Sequence, residues 1–291
     1  MIVINGVSKK YKDFYAVKNV SINLQQGEVY GLVGKNGAGK STLFKAILGL
    51  THVNGGSISI NESTSARELN KAKRSIGFYM GPSFYPYLNG YDNLKYVSIM
   101  KGIKDSAEVD RVMKLVGLYG EKKKFKAYSL GMKQRLGIAN ALLGDPDIIL
   151  LDEPINGLDP QGILEIRNII GDLGKVHNKT VIVSSHILSE LELVADRFGI
   201  IDHGILIKEF YKDDNGGVKR VNITTSNNDL SLKLLKHLNP ISKNQLIEVD
   251  GSYLTNDDLL KLINNDVQVY EITLHKENLE QQYFELTGGK N

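Results

Sequence analysis

The chain has no cysteine, no tryptophan and only six prolines among its 291 residues. Without cysteine there is neither a disulfide framework nor a thiolate metal site, so a packed core must carry the stability. No stretch approaches 18 consecutive apolar residues, and Met1-Ile2-Val3-Ile4-Asn5 lacks the basic-then-apolar order of a signal peptide. The chain is therefore expected in the cytosol, with no membrane span of its own. A large excess of either charge is lacking as well. A net charge of +3 is too mild to argue for nucleic acid, and Lys122-Lys123-Lys124 reads as a solvated face. The length leaves room for more than one domain.

What the chain does have is Gly34-Lys35-Asn36-Gly37-Ala38-Gly39-Lys40-Ser41-Thr42, which fits the phosphate-loop pattern G-x-x-x-x-G-K-[ST] without departure. Glu28–Val33 before it reads as a buried strand. Thr42–Leu48 after it has the apolar spacing of a helix packed on a sheet. The glycines let successive N–H groups turn inward toward phosphate oxygens, at the positive end of the following helix. In this pattern Gly34, Asn36, Gly37, Ala38, Gly39 and Thr42 cradle the phosphates. Lys40 reaches the β- and γ-phosphates, and the Ser41 hydroxyl holds Mg²⁺. Binding of a nucleoside triphosphate, ATP with Mg²⁺, is expected.

Ile2–Ile4 and Val17–Leu24 alternate as half-buried antiparallel strands do, with Lys9–Tyr15 reading as their connection. Tyr11, one hairpin upstream of the phosphate loop, is placed to stack on a purine ring; capping of the small sheet is its structural alternative. Further on come a strand at Ser57–Ile60, a polar helix near Ala66–Lys73 and a strand at Ser75–Tyr79. A loop follows at Met80–Pro86, then helices from about Asn93 to Lys126 with no strand between them. Ser129 sits where the cap of the helix Leu136–Leu143 belongs, and Gly131 permits close approach to that helix start.

Asp147–Pro154 reads as a central parallel strand that ends in two carboxylates. Asp152 can hold Mg²⁺ through water, and Glu153 can orient and deprotonate an attacking water. Asp159 follows in the turn, where it is also a helix cap by type. After the helix Ile163–Leu173, the buried strand Thr180–Ser185 ends at His186, which can reach a γ-phosphate. Phe198–Asp202 and Ile205–Ile207 form a closing hairpin around His203-Gly204. Residues 212–217 turn polar and glycine-rich, as a linker does. Strands at Val221–Thr224 and Val267–Leu274, with helices at Leu230–Leu238 and Asp257–Asn264, predict a small α+β appendage whose plain reading is structural or dimerising.

Together these elements, over residues 2–210, resemble the ATP-binding subunit of an ABC transporter. The resemblance implies an α/β fold: a P-loop NTPase core with an antiparallel β subdomain and an all-helical insertion at about 88–145. The domain would span 1–211, with a linker at 212–219 and the appendage at 220–291. It further implies that Ser129, Leu130, Gly131 and Met132 stand in the signature position and act in trans, that Asp159 is the D-loop aspartate and that His186 is the switch histidine. Glu153 and His186 are then the catalytic pair, and Ser41 and Asp152 the metal ligands.

Two such subunits are expected to pair head to tail around ATP, as a homodimer, and to drive a membrane-spanning permease on another chain. That puts the chain on the cytoplasmic face of the membrane, with no nucleic acid as partner. The signature here is Tyr128-Ser129-Leu130-Gly131-Met132, where the family usually has Leu-Ser-Gly-Gly-Gln. The glutamine normally found after Ser75–Tyr79 is missing from Met80-Gly81-Pro82-Ser83. The signature helix and Gly81–Pro86 resemble the bacitracin-resistance, lantibiotic-immunity and peptide-toxin exporter branch of Gram-positive bacteria. A soluble ATP-dependent clamp acting on ribosomes or DNA is the alternative, disfavoured by a single phosphate loop and no long heptad insertion. A kinase using the same loop would require an acceptor site.

Overall fold

The computed structural model describes residues 1–63, 65–105, 107–212, 220–243, 246–251 and 253–275. The chain forms two compact units, Met1–Lys212 and Asp213–Asn291. Apart from Lys212, the expected linker lies outside the described residues, as do residues 276–291 of the appendage.

The first unit runs β1 (Ile2–Tyr11), β2 (Phe14–Leu24), β3 (Val29–Val33), α1 (Lys40–Ile47), β4 (Gly55–Ile60), α2 (Ala66–Arg74) and β5 (Gly77–Tyr79). Then come α3 (Gly90–Met100), α4 (Ala107–Leu115), α5 (Leu130–Leu142), β6 (Ile148–Asp152), α6 (Pro160–Lys175), β7 (Thr180–Ser185), α7 (Leu188–Glu192), β8 (Arg197–Asp202) and β9 (Ile205–Tyr211). A six-stranded sheet has the order β5-β6-β7-β3-β8-β9, parallel except for the β8–β9 hairpin. Its central strands are apolar throughout because both faces are covered: every residue of β3 and β7 is buried. The antiparallel sheet β2-β1-β4 shares one core with α1 and one face of the large sheet. Ile2, Ile4, Val17 and Leu24 meet Leu43, Phe44, Leu150 and Ile182 there.

Three local expectations are corrected. The stretch Lys9–Tyr15 is not a connection. β1 runs on to Tyr11, and β2 starts at Phe14 after the two-residue turn Lys12-Asp13, with Lys12 at φ 50°. The exposed lysines and aromatics hide the alternation at the hairpin's tip. β5 begins at Gly77 rather than Ser75, because Ser75 caps the end of α2. In the second unit the helix expected over Leu230–Leu238 breaks at Leu234 into a 3-10 turn at Lys236–Leu238, where Asn239 turns left-handed.

That second unit comprises β10 (Arg220–Thr225), α8 (Asn228–Leu234), β11 (Ile241–Lys243), β12 (Leu246–Asp250), α9 (Asn256–Asn264) and β13 (Val269–His275). Its antiparallel sheet has the order β11-β12-β10-β13. Val221, Ile223, Ile247 and Val249 supply the sheet side of its core, with Leu235, Leu238 and Leu262 from the helical segments. The hairpin β11–β12 was not anticipated: it is short, and its first strand carries only one large apolar residue, Ile241.

The buried salt-bridge network at the foot of β3 also escaped the sequence reading. Arg197 Nε donates to Glu28 Oε1 at 2.6 Å and Nη1 to Glu209 Oε1 at 3.1 Å, while Nη2 donates to the Asn23 carbonyl. Tyr30, fully buried, donates its hydroxyl to the same Glu209 oxygen at 2.8 Å. Burial works against the Arg197 charge, but Glu28 and Glu209 outweigh it and hold its pKa above the ordinary value. Burial likewise pushes the Tyr30 phenol up, and Glu209 adds to that.

Candidate functional site

The site lies at the carboxyl ends of β3, β6 and β7, where a parallel sheet presents its loops. Gly34 leaves β3 with its N–H donating to the Ser185 carbonyl of β7 at 3.3 Å. Gly37 and Gly39 have φ of 85° and 110°, a region that costs other residues strain. Gly39 has a second reason to be glycine: a Cβ there would overlap the Ala16 carbonyl of β2 and meet Gly204 of the β8–β9 turn. That turn braces the loop, since Gly204 N–H donates to Ala38 O at 2.9 Å and Lys18 N–H to Gly204 O at 2.7 Å. α1 then starts with no side-chain cap and no acidic residue in its first turn, so no side chain at that end competes with an anion for its leading N–H groups. Gly39→Ala is expected to weaken ATP binding more than tenfold and to cost about 1–3 kcal/mol of backbone strain, read by nucleotide titration and thermal melting.

Lys40 and Ser41, the first two residues of α1, meet the acids at the end of β6. Ser41 Oγ donates to Asp152 Oδ2 at 2.6 Å. Lys40, 5% exposed, donates to Gly34 O and to Lys35 O. Its Nζ also lies 3.0 Å from Glu153 Oε1, an ion pair outside hydrogen-bond geometry. His186 Nδ1 sits 2.8 Å from Glu153 Oε2. Glu153 itself is at φ 50°, a sharp turn off the strand. A non-glycine residue held there is a conformation found disproportionately at functional sites.

Ser184 was missed from sequence. Fully buried in β7, the strand between β3 and β6, it donates to Asp152 Oδ1 at 2.6 Å and accepts from the Glu153 N–H at 3.0 Å. One hydroxyl therefore sets both carboxylates. The only sequence signal was a buried strand ending in two serines before His186. Behind the site, burial first and then the Asp152 charge push the Tyr79 phenol up. Tyr79 lies over Gly137 of α5, where a Cβ would overlap its ring.

A hydroxyl and a carboxylate in contact, Ser41 and Asp152, are oxygen donors of the kind Mg²⁺ selects, leaving other positions to phosphate oxygens and water. Tyr11 is 48% exposed at the end of β1, with Lys9 Nζ 4.8 Å from its ring centre. The hairpin register sets it opposite Phe14, two residues before the Ala16 carbonyl that abuts Gly39.

The signature residues stand apart from this cluster. Ser129 caps α5 and accepts from Met132 N–H at 3.2 Å, Leu130 is 45% exposed, and Gly131 faces only Leu158 and Gly162 at ordinary distance. Among the described residues none of Ser129–Met132 hydrogen-bonds to the phosphate loop. Gln134 ties α5 to the turn beyond Glu153, donating to Asn156 O at 2.9 Å. Asp159 caps α6, accepting from Gly162 N–H at 2.9 Å. No helix among the described residues is long and apolar enough to cross a membrane.

A phosphate loop on β3, acids on β6 and a histidine after β7, in this sheet order, define a P-loop nucleoside triphosphatase. Residues 17–156 match the ABC transporter family. The chain is 36% identical to the bacitracin transport ATP-binding protein BcrA of Bacillus licheniformis, over 99% of this chain and 98% of that one. It is 43% identical to the lantibiotic transport ATP-binding protein SrtF of Streptococcus pyogenes, over 74% and 93%. Among solved structures, a dimeric ATP-binding cassette in a post-hydrolysis state with ADP and phosphate superposes with a TM-score of 0.65 at 28% identity. It covers 73% of this chain and 99% of that one. The chain belongs to the ABC transporter family, as an ATP-binding subunit.

Proposed function

We propose that the chain is the ATP-hydrolysing motor of an exporter whose cargo is an antimicrobial peptide, a peptide toxin or a related drug. The contact of Ser41 with Asp152 carries the reading of the site, because it joins the phosphate loop to the acidic strand end as a Mg–triphosphate complex requires. The names of BcrA and SrtF support the cargo class.

The N–H groups of Asn36–Thr42 and the Lys40 ammonium hold the phosphates. Ser41 and Asp152 would hold Mg²⁺, which when bound would supply positive charge to offset that of the triphosphate. Glu153 orients the attacking water and takes its proton; His186 fixes the second carboxylate oxygen and reaches the γ-phosphate. Tyr11 stacks on the adenine. Tyr11→Ala is expected to weaken ATP binding by about 5–150-fold, the worth of one stacked base, with thermal stability unchanged.

A second subunit supplies Ser129, Leu130, Gly131 and Met132 across the γ-phosphate, with Asp159 in the turn between the sites. The exposed start of α5 and the dimeric relatives support this pairing. Closure on ATP and opening after hydrolysis then work a separate permease from the cytoplasmic face of the membrane. Tagged Glu153→Gln protein recovered from solubilised native membranes with ATP is the test. A polytopic membrane protein in stoichiometric amount is the expected result; ribosomes or nucleic acid without one would replace the motor with a soluble clamp.

A further inference from the structure

The second unit ends its sheet on a strand with one neighbour. β13 is last in the order β11-β12-β10-β13, and among the described residues no strand pairs with its outer edge. Protein edges of this length are commonly blunted by lysine or proline; β13 contains neither. Two large apolar side chains of the strand are exposed beside the polar Glu271 and Thr273. Tyr270 is 65% exposed and Ile272 43%, although Ile272 lies directly across from the fully buried Ile223. On α9, Ile263, which lines a groove with Tyr270, is 57% exposed. This shallow groove of about 590 Å³ lies between Ile263 and Tyr270, with Asp266 and Gln268 also on its wall. Among the described residues, an unpaired backbone edge and a strip of exposed apolar side chains, Ile263, Tyr270 and Ile272, thus lie together.

We infer that β13 pairs antiparallel with β13 of a second copy of this chain, joining two C-terminal sheets into one. The strand is complementary to itself. Antiparallel pairing centred on Ile272 sets that side chain against its own copy. It sets Glu271 against Thr273, so the one carboxylate of the run never faces its like. The same rotation brings the two apolar strips side by side, extending each core across the junction. A second copy is the partner that dimeric relatives make available. This contact uses no residue of the nucleotide site and needs no ATP.

The absence of native cysteine makes the test direct. In an antiparallel pair, facing residues have Cα atoms about 4.5–5.5 Å apart, within the range a disulfide spans. Full-length Ile272→Cys, nucleotide-free and mildly oxidised, is expected to form a covalent dimer to at least half completion. The exposed control Lys236→Cys, on the 3-10 turn, should give less than a tenth of that. In sedimentation, Ile272→Lys should weaken nucleotide-free association of the full chain at least tenfold. Equal cross-linking of Ile272→Cys and the control, or unchanged association in Ile272→Lys, overturns the inference. Coverage of this edge by the chain's own residues beyond His275 would produce that negative result. ATP hydrolysis by the same variants reports on the nucleotide site independently, so failure of one reading is distinguishable from failure of the other.

Discussion

Glu153→Gln is expected to lower steady-state ATP hydrolysis by about 10²–10⁴-fold, the range of a lost general base, while ATP affinity stays within about threefold. The amide keeps the size of the side chain and its anchor, because the backbone N–H still donates to Ser184 Oγ. It cannot accept a proton from water. It also ends the pairing of Glu153 with Lys40 and weakens that with His186, so Lys40 is freer to meet phosphate and binding has no reason to fall. Turnover and nucleotide titration on the same preparation separate the two effects. Hydrolysis at the unmodified rate would remove Glu153 from the base's role and leave His186 to be tested next.

The second large effect is on stability. Arg197→Met should destabilise the first unit by about 3–5 kcal/mol, the cost of breaking a buried ion pair from one side. Glu28 and Glu209 would then face each other and the Tyr30 hydroxyl without the guanidinium that lies among them. For a unit of this size that is a fall in melting temperature of about 6–20 °C. Methionine keeps most of the volume, so the loss reports charge rather than a cavity. Adding Glu28→Gln should recover part of it, whereas a packing defect would not respond. Thermal melts of the full chain, followed by circular dichroism, give the comparison.

How much of this was legible beforehand depends on how local each constraint is. Gly34–Thr42 could be read because a backbone curled around phosphate needs glycine at fixed places in a short run, and Gly37 and Gly39 take the left-handed angles this requires. The acids of β6 could be read because four buried aliphatics before Asp152 mark a central strand. Arg197, Ser184 and the brace at Gly204 were not legible. Their partners lie far away in sequence, as Glu28 does from Arg197, and composition does not announce such pairings. Gly137 lies in a helix with nothing nearby in sequence to require glycine; the ring of Tyr79 against it explains the missing side chain. The tip of the first hairpin was misread because exposure on both faces erases the alternation by which a strand is recognised.

The hydrogen bond from Gln134 to Asn156 has a consequence for an assembled pair. It fastens the helix whose first turn is proposed to serve the neighbouring chain's nucleotide to the turn beyond Glu153, the acid proposed to activate water in its own site. In a head-to-tail dimer each chain is then a short lever with its two ends in different reaction chambers. Any factor by which ATP in one chamber alters affinity in the other must be returned by the second to the first. Loosening this one bond, by Gln134→Leu, is expected to weaken that factor, read as lower cooperativity of ATP binding.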